Sequence, residues 1–419
     1  MDNLSTQRVI DAVWRIEAAR LIAGLTRLTR DVGEAEDLAQ GALLAALERW
    51  PCEGVPRNPG AWLLTAARNR GVDRIRHEVR AAAKHEALGH DLAARQADGA
   101  AAIEAAADDD VGDDLLRLMF IAAHPVLSPE GRAALTLRLL CGLSTAEIAR
   151  AFLSSEPTIA ARIVRAKRAL AEANAPFELP RGEKRARRLS SVLEVIYLLF
   201  NEGYAATSGP GWTRPELCED ALRLGRILAE LTPEEPEVHG LVALMEIQAS
   251  RMAARIGPQG QAVLLMDQNR ARWDRLLIGR GMAALSRGQR AGAPAGPYLI
   301  QAAIAACHAR APTAADTDWD RIAALYDTLL LLAPSPVVAL NRAVAVSMAR
   351  GPQEALDAVD ALVEQGALSS YHLLYSVRAD LLARLGRADE ARAALHRAAE
   401  LAQNHAERAL LLARVAAIK

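Results

Sequence analysis

The stretch LSTAEIARAFLSSEPTIAARIVRAKRAL, residues 143–170, carries the clearest structural signal in the chain. It predicts two helices, at 145–152 and at 156 to about 171, joined by a short polar turn. Ser154 or Ser155 is placed to cap the second helix, because a serine hydroxyl accepts hydrogen bonds from the free backbone N–H groups of a first helical turn. The stretch therefore has the form of a helix-turn-helix.

The second of these helices has two different faces. At 100° per residue, its apolar side consists of Ile159, Ile163, Ala166 and Leu170. The opposite side is polar and basic and contains Thr158, Ala161, Arg162, Arg165 and Arg168, with Ser155 at the helix start. This layout is typical of a recognition helix in the major groove of DNA. The same layout arises when arginines merely solvate an amphipathic helix, so the pattern alone leaves both interpretations open.

The composition of the chain favours an all-α protein. Of the 419 residues, 51% are hydrophobic and only 4% are aromatic, and the length predicts two to four domains. The formal net charge of −1 for the whole chain does not indicate any class of binding partner. No uncharged run is long enough to span a membrane, and the N-terminus lacks the apolar core of a signal peptide. We expect a cytoplasmic protein without membrane contact.

No arrangement of residues predicts a metal site or a catalytic centre. The four cysteines are far apart and form no C-x-x-C pair. HEALGH, residues 85–90, spaces its histidines by five positions, whereas a zinc-binding helix face needs four. DTDWD, residues 316–320, resembles a calcium loop but has Arg321 at the glycine position, so Thr317 or Asp318 more simply caps a helix. We expect no cofactor, no metal and no enzymatic activity.

Three further helices are predicted before this region. Residues 8–30 form a helix pair or one long helix, and residues 31–50 form a helix whose acidic start suits the positive N-terminal end of a helix. Residues 51–60, PCEGVPRNPG, contain three prolines and two glycines and predict a loop. Residues 61–79 form a third helix with an apolar side and a basic side.

The order of these segments resembles a known family. The acidic helix with Glu36, Asp37, Leu38 and Gln40, the loop, and then WLLTAARNRGVDRIR at 62–76 resemble domain 2 of a group 4, or extracytoplasmic-function, sigma factor of the sigma-70 family. Residues 113–153, DDLLRLMFIAAHPVLSPEGRAALTLRLLCGLSTAEIARAFL, resemble domain 4 of the same family, although Leu153 stands where helix-turn-helix turns often have glycine. The resemblance covers roughly the first 173 residues.

The resemblance implies a transcription initiation factor that directs RNA polymerase to promoter DNA. Its partners are then the polymerase core, at the β′ clamp and the β flap, and the promoter. It assigns core binding to Glu36, Asp37 and Gln40. It assigns contacts with the −10 element to Arg57, Asn58, Arg68, Asn69, Arg70, Asp73 and Arg74. It assigns contacts with the −35 element to Ser155, Thr158, Ala161, Arg162, Arg165 and Arg168. The alternative is a helix-turn-helix regulator that works without polymerase and carries a helical-repeat interaction domain.

Two linkers separate the predicted domains. Domain 2 occupies residues 8–80, an acidic flexible linker 81–111, and domain 4 residues 112–173. A basic linker follows at 174–188, where a cluster of arginines and a lysine either contacts phosphate or forms a solvated helix start. The rest of the chain is predicted to be a helical extension domain at 189–290 and tetratricopeptide-like repeats at 291–419.

The extension resembles that of a sigma subfamily with a C-terminal tetratricopeptide-like domain. Gly351 and Gly386 lie 35 residues apart, and each is soon followed by Glu-Ala, at Glu354 and at Glu390. This spacing is close to the tetratricopeptide period of about 34 residues. Stacked units of this kind leave a concave surface for a partner. We therefore expect the extension to regulate the sigma core in cis or to recruit a protein partner.

Overall fold

The chain folds into α-helices. The computed structural model describes residues 3–82, 111–152, 154–205, 213–257, 261–292 and 294–418, with the backbone alone described at 3–5, 72–82, 111 and 406. Within these ranges there are eighteen α-helices, three short 3-10 helices and no β-strand, which confirms the all-α prediction. The chain divides into two compact units, residues 1–195 and 196–419.

The first unit begins with a bundle of three helices, called here the first bundle. It consists of α1 (Asn3–Thr29), α2 (Val32–Glu53) and α3 (Pro59–Ala82). The residues predicted at 8–30 thus form one long helix that ends at Thr29, and not a pair. Four fully buried alanines let α2 pack closely against its neighbours, namely Ala35, Ala39, Ala42 and Ala46. Trp50 at the end of α2 packs edge-on against Trp62 of α3, with ring centroids 5.3 Å apart.

The loop predicted at 51–60 is shorter than expected, because only residues 54–58 are irregular. Helix α2 continues through Pro51 and ends at Gly54, whose φ of +86° suits glycine. Helix α3 begins at Pro59, a favourable residue in a first helical turn. The side chain of Asn58 caps it by accepting a hydrogen bond from the N–H of Ala61 at 3.1 Å. The prolines and glycines therefore mark two helix ends.

A second bundle follows in the same unit. It consists of α4 (Val111–Ala122), α5 (Pro129–Leu140), α6 (Thr145–Ala151) and α7 (Glu156–Glu172). Serine side chains cap the last three helices, at Ser128, Ser144 and Ser155. Glu147 also accepts from the backbone N–H of Ser144 at 2.8 Å and completes a capping box. The two helices predicted from residues 143–170 are confirmed.

Helix α8 (Gly182–Tyr204) begins inside the linker predicted at 174–188, so half of that linker is helical. Its first part packs on the second bundle. The guanidinium of Arg188 donates to the carbonyl oxygen of Phe120 at 3.1 Å, and Glu194 pairs with Arg132 at 3.1 Å. The remaining basic residues of the cluster are exposed, namely Arg181, Lys184, Arg185 and Arg187. Their exposure fits both interpretations, the phosphate contact and the solvated helix start, whereas Arg188 serves packing.

The second unit continues with α9 (Pro215–Leu231), α10 (Pro236–Ala249), α11 (Arg275–Arg290) and α12 (Pro297–Arg310). Gly240 lets α10 approach the start of α12, since a side chain at this position would lie 2.6 Å from the backbone nitrogen of Leu299. Between α10 and α11, the buried Arg270 donates to the carbonyl oxygens of His308 (2.6 Å) and Ala311 (2.7 Å). It thereby fixes the end of α12.

The chain then forms consecutive helical hairpins. These are α13 (Trp319–Leu332), α14 (Pro336–Ala349), α15 (Pro352–Glu364), α16 (His372–Arg384), α17 (Ala388–Leu401) and α18 (His405–Ala417). The α14–α15 and α16–α17 hairpins begin at Pro336 and His372, 36 residues apart. Gly351 and Gly386 lie in their turns with φ of +107° and +77°. Asp318 caps α13 by accepting from the N–H of Arg321 at 3.0 Å, as expected for DTDWD.

Candidate nucleic-acid and protein interfaces

Helix α7 presents the two faces that its sequence predicts. Its back is buried, at Ile159, Ile163, Ala166 and Leu170. Its front faces solvent, with Thr158, Ala161, Arg165 and Arg168 exposed and Arg162 half-buried. At the helix start, the hydroxyls of Ser155 and Thr158 are 2.8 Å apart and hydrogen-bonded to each other. Polar hydroxyls and guanidinium groups thus share one open surface.

The three arginines of this front differ in their surroundings. Arg168 donates to Glu172 at 2.6 Å in an exposed pair, which raises the pKa of the guanidinium. Arg165 donates only to the backbone carbonyl of Ala161, at 3.2 Å. The pKa of Glu130 is lowered mainly by its own backbone N–H and by the Ser128 hydroxyl, and also by the charge of the nearby Arg162. Within the described part of the chain, no carboxylate forms an ion pair with Arg162 or Arg165, so both guanidinium charges remain available to a ligand.

The residues expected to contact the −10 element are spread over the 54–58 loop and α3. Arg57, Asn58, Asn69 and Arg70 are exposed, and Arg68 is half-buried. Asn58 also has the structural role of capping α3. The guanidinium of Arg70 lies across Gly41 of α2, where a β-carbon would be 2.5 Å from its Nη1. The side chains of Asp73 and Arg74 lie outside the described residues, as do Leu153, His85 and His90.

The residues expected to bind core polymerase lie at the start of α2 but differ in exposure. Asp37 is exposed and Gln40 is half-buried, whereas Glu36 is only 2% exposed. The Nε of Arg138 donates to one carboxylate oxygen of Glu36 at 2.5 Å, and the amide of Gln40 donates to the same oxygen. The Nζ of Lys167 lies 2.5 Å from the other carboxylate oxygen and forms an ion pair with it. This oxygen has no hydrogen-bond partner among the described residues.

These pairs belong to a larger contact between the two bundles that sequence reasoning missed. The indole N–H of Trp14 donates to the carbonyl oxygen of Gly142 at 3.2 Å. Arg15 pairs with Glu147 at 2.9 Å, and Arg27 pairs with Asp114 at 3.2 Å. We call these three contacts, together with Glu36–Arg138 and Glu36–Lys167, the clasp. Its partners are 87 to 132 residues apart in sequence, so no local pattern could have revealed it.

Comparison with known protein families identifies three segments. Residues 15–81 match Sigma-70 region 2, and residues 117–170 match Sigma-70, region 4. Residues 188–289 match a family of unknown function, DUF6596. The first segment contains the residues expected to contact core polymerase and the −10 element, and the second contains those expected to contact the −35 element. The third begins in α8 and ends in α11.

Individual relatives agree with these matches. An uncharacterized protein of Rhizobium meliloti is 46% identical over 391 residues, which cover 93% of this chain and 91% of the relative. The ECF RNA polymerase sigma factor SigL of Mycobacterium tuberculosis is 34% identical over 160 residues, 38% of this chain and 85% of SigL. The ECF RNA polymerase sigma factor BldN of Streptomyces coelicolor is 35% identical over 145 residues, 33% of this chain and 49% of BldN. No solved structure matches the chain. Among the described helices, none is both long and apolar enough to cross a membrane.

Proposed function

The chain belongs to the extracytoplasmic-function RNA polymerase sigma factors, and we propose that two surfaces of its first unit carry this function, the front of α7 and the exposed side of α3. A sigma factor directs core polymerase to promoters and initiates transcription. A regulator independent of polymerase would give no role to the region 2 match, and is therefore not favoured.

The observation that carries the −35 assignment is the geometry of α7. Its apolar residues are buried and its cationic residues are open to solvent on the opposite side. A helix of this kind enters the major groove with its first turns against the base edges. Ser155, Thr158 and Ala161 are then placed to contact bases, and Arg162, Arg165 and Arg168 to contact bases or phosphates. Arginine is suited to both tasks, because its fork of donors pairs with guanine edges and with phosphate oxygens.

The −10 element is assigned to the loop and α3. Unstacking a base costs a few kcal/mol, so opening a duplex requires a protein surface that holds the unstacked base. The exposed Arg57 and Asn58 project from the 54–58 loop, and Asn69 and Arg70 lie on the exposed side of α3. Arg68, Asp73 and Arg74 complete the proposed set. To contact a base, Asn58 would have to give up the hydrogen bond with Ala61 by which it caps α3. Alternatively, Asn58 keeps this bond and positions the loop.

Core binding is proposed for the start of α2, at Glu36, Asp37 and Gln40. Asp37 is exposed and accessible to a partner, whereas the ion pairs of Glu36 with Arg138 and Lys167 must first be broken. The test is run-off transcription and co-purification with core polymerase, using the full chain and an Asp37→Asn variant on a promoter library. Promoter-specific transcripts from the wild type, and weaker co-purification of the variant, are expected. DNA binding without any association with core would refute this function.

The second unit is proposed to act on the sigma core in cis or to recruit a protein. Support comes from an open groove of about 460 Å³ between α13, α14 and α15, lined by apolar residues such as Leu330, Leu331 and Leu362. Leu331, in the lining of this groove, is 85% exposed, which leaves apolar surface open to a partner. The test compares run-off transcription by the full chain with that by residues 1–195, the first compact unit. Promoter output that is the same for both would rule out regulation in cis.

A further inference from the structure

Residues 251–310 carry a charge that the rest of the chain does not share. They contain nine arginines, no lysine, two aspartates and no glutamate, a net charge of +7 in a chain whose formal net charge is −1. Such a concentration of arginine is typical of a surface that binds a polyanion. We infer that the solvent-facing side of α11 binds the phosphate backbone of promoter DNA, in addition to the contacts proposed for α3 and α7. The inference rests on the proposed function, because the sigma factor is what brings this surface to DNA.

Helix α11 carries four of these arginines on its open side. Arg275, Arg280, Arg287 and Arg290 are all exposed, and at 100° per residue they fall within an arc of about 140°. The opposite side of the helix is buried, at Ile278, Gly281, Ala284, Leu285 and Gly288. No residue of α11 is acidic. The exposed side is therefore cationic over the ~22 Å between its first and last arginine.

The positive charge of these four arginines is not compensated within the described part of the protein. Ten arginines elsewhere in the described part of the second unit form ion pairs with carboxylates, whereas none of the four on α11 does so with a described residue. Helix α12 has no acidic residue, and the two carboxylates of α10 are engaged elsewhere, Glu237 as the cap of α12 and Glu246 in a pair with Arg226. Asp274, just before α11, accepts from the N–H groups of the first turn.

Helix stability does not account for this arrangement. Arg287 and Arg290 lie in the last turn, where the partial negative charge of the helix end favours cations, but Arg275 lies in the first turn, where the helix dipole disfavours them. Arg287 and Arg290 are also three residues apart, so their like charges repel each other. The cationic face therefore destabilises α11 in the free protein, and a polyanion relieves this repulsion.

The surface of α11 favours a phosphate backbone over an acidic protein surface. The small residues Gly279 and Ala283 lie between Arg280 and Arg287 on the exposed side, and a β-carbon added at Gly279 would meet no atom within 4 Å. A sugar-phosphate strand thus has room to lie close to the helix, where the donor forks of the arginines pair with phosphate oxygens. Protein interfaces depend on aromatic and other large anchors that become buried, whereas Leu276 is the one large apolar side chain that α11 exposes.

The salt dependence of promoter binding by the holoenzyme tests the inference. Each arginine that neutralises a phosphate releases a condensed counterion and adds about 0.9 to the slope of log affinity against log salt concentration. In the full chain, Arg280→Gln/Arg287→Gln/Arg290→Gln should therefore reduce the slope by about 2–3, equally on cognate and unrelated −35 sequences, because phosphate contacts carry no sequence information. Arg280→Lys/Arg287→Lys/Arg290→Lys keeps the charge and should retain most of the slope.

A matched control removes the same charge from other exposed positions of the second unit. Arg321→Gln/Arg350→Gln/Arg397→Gln should leave the slope unchanged, since these arginines are exposed but lie outside α11. Denaturant unfolding of both glutamine variants verifies that the second unit stays folded. Hydroxyl-radical footprinting then locates the contact, as backbone protection in the wild-type complex that the α11 glutamine variant loses and the control keeps.

The outcomes separate this surface from the proposed function. An unchanged slope and footprint in the α11 glutamine variant, or an equal reduction in the control, would overturn the DNA contact of α11 while leaving the sigma function intact. Weaker association of the α11 variant with core polymerase, at an unchanged slope, would also overturn it and identify an acidic protein surface as the partner. A wild-type chain that never associates with core would instead overturn the proposed function, and this inference with it.

Discussion

The carboxylate of Glu237 accepts a hydrogen bond from the backbone N–H of Tyr298 at 2.8 Å, across 61 residues of sequence. It also accepts from the N–H of Leu299 at 3.1 Å. Helix α12 begins after Gly296, which has no side chain to cap it, so a residue of α10 performs the task usually performed by the residue before the helix.

Replacing this distant cap should destabilise the second unit. Glu237→Ala leaves the N–H groups of Tyr298 and Leu299 without their acceptor, and we expect a loss of about 1–2 kcal/mol in the free energy of unfolding. Denaturant unfolding followed by circular dichroism measures this loss. Glu234→Ala is the control, because Glu234 is an exposed carboxylate just before α10. Equal stability of the Glu237 variant and the wild type would show that water replaces the carboxylate.

The second unit should also lose stability in mild acid because of His308. Burial, followed by the charges of Arg251 and Arg270, lowers the pKa of its imidazole to about 4. The unfolded chain takes up a proton near pH 6.5 that the folded chain accepts only near pH 4. The contribution of His308 is therefore complete above pH 6.5 and is lost as the pH falls toward 4.

A phenylalanine in place of His308 isolates this effect. The imidazole packs edge-on against Trp319, with ring centroids 5.1 Å apart, so His308→Phe keeps an aromatic ring there. Between pH 7 and pH 5, the wild type should lose about 2 kcal/mol more in unfolding free energy than the variant. Chemical denaturation at the two pH values provides the comparison. Parallel losses in both proteins would assign the acid sensitivity to other groups.

The same substitution to alanine should have opposite effects at the two hairpin glycines and at a glycine inside α11. Gly351 and Gly386 have positive φ, and a β-carbon added at either would meet no atom within 4 Å, so alanine there costs backbone strain of about 1–2 kcal/mol without a clash. Gly279 lies inside α11 with equally open surroundings, and alanine there should stabilise by about 0.5–1 kcal/mol. Thermal unfolding of the three variants checks the signs. A stabilised Gly351→Ala would contradict the assigned turn.

Promoter recognition should depend on Arg162 in a sequence-specific way if it reads a base. Arg162→Ala is then expected to weaken binding of the holoenzyme to its cognate −35 element by about 1–3 kcal/mol, with little effect on unrelated sequences. Competition binding on a set of −35 variants measures the difference. Arg150→Ala, an exposed arginine of α6, is the matched control. A uniform loss across all sequences would limit Arg162 to phosphate contact.

Local features were predictable from the sequence. The bounds and faces of α6 and α7 follow from serine caps and from the helical spacing of Ile159, Ile163, Ala166 and Leu170, all of which act within a few residues. The loop was predicted to be longer, at 51–60, than the observed 54–58, although Asn58 followed by Pro59 is a local sign of a helix start. The prediction gave more weight to the proline and glycine content than to this sign.

Long-range features were not predictable in this way. An acidic residue near the start of a helix is normally exposed, and nothing near Glu36 in the sequence indicates that it is buried. Its partners, Arg138 and Lys167, are more than 100 residues away, and only the packing of two bundles brings them together. The cap of α12 by Glu237 is a similar case. A single sequence specifies such pairs only through the complete fold.

The pair between Arg168 and Glu172 has a consequence for the ionic balance of promoter binding. A cationic side chain that docks on phosphate normally releases a condensed counterion from DNA, which makes affinity fall steeply with salt. Arg168 already carries a carboxylate as its own counterion, and this exposed pair is itself weakened by salt. Added salt therefore opposes the phosphate contact and at the same time frees the guanidinium to make it. We therefore expect the proposed contact of Arg168 with phosphate to depend less on ionic strength than the same contact made by an unpaired arginine.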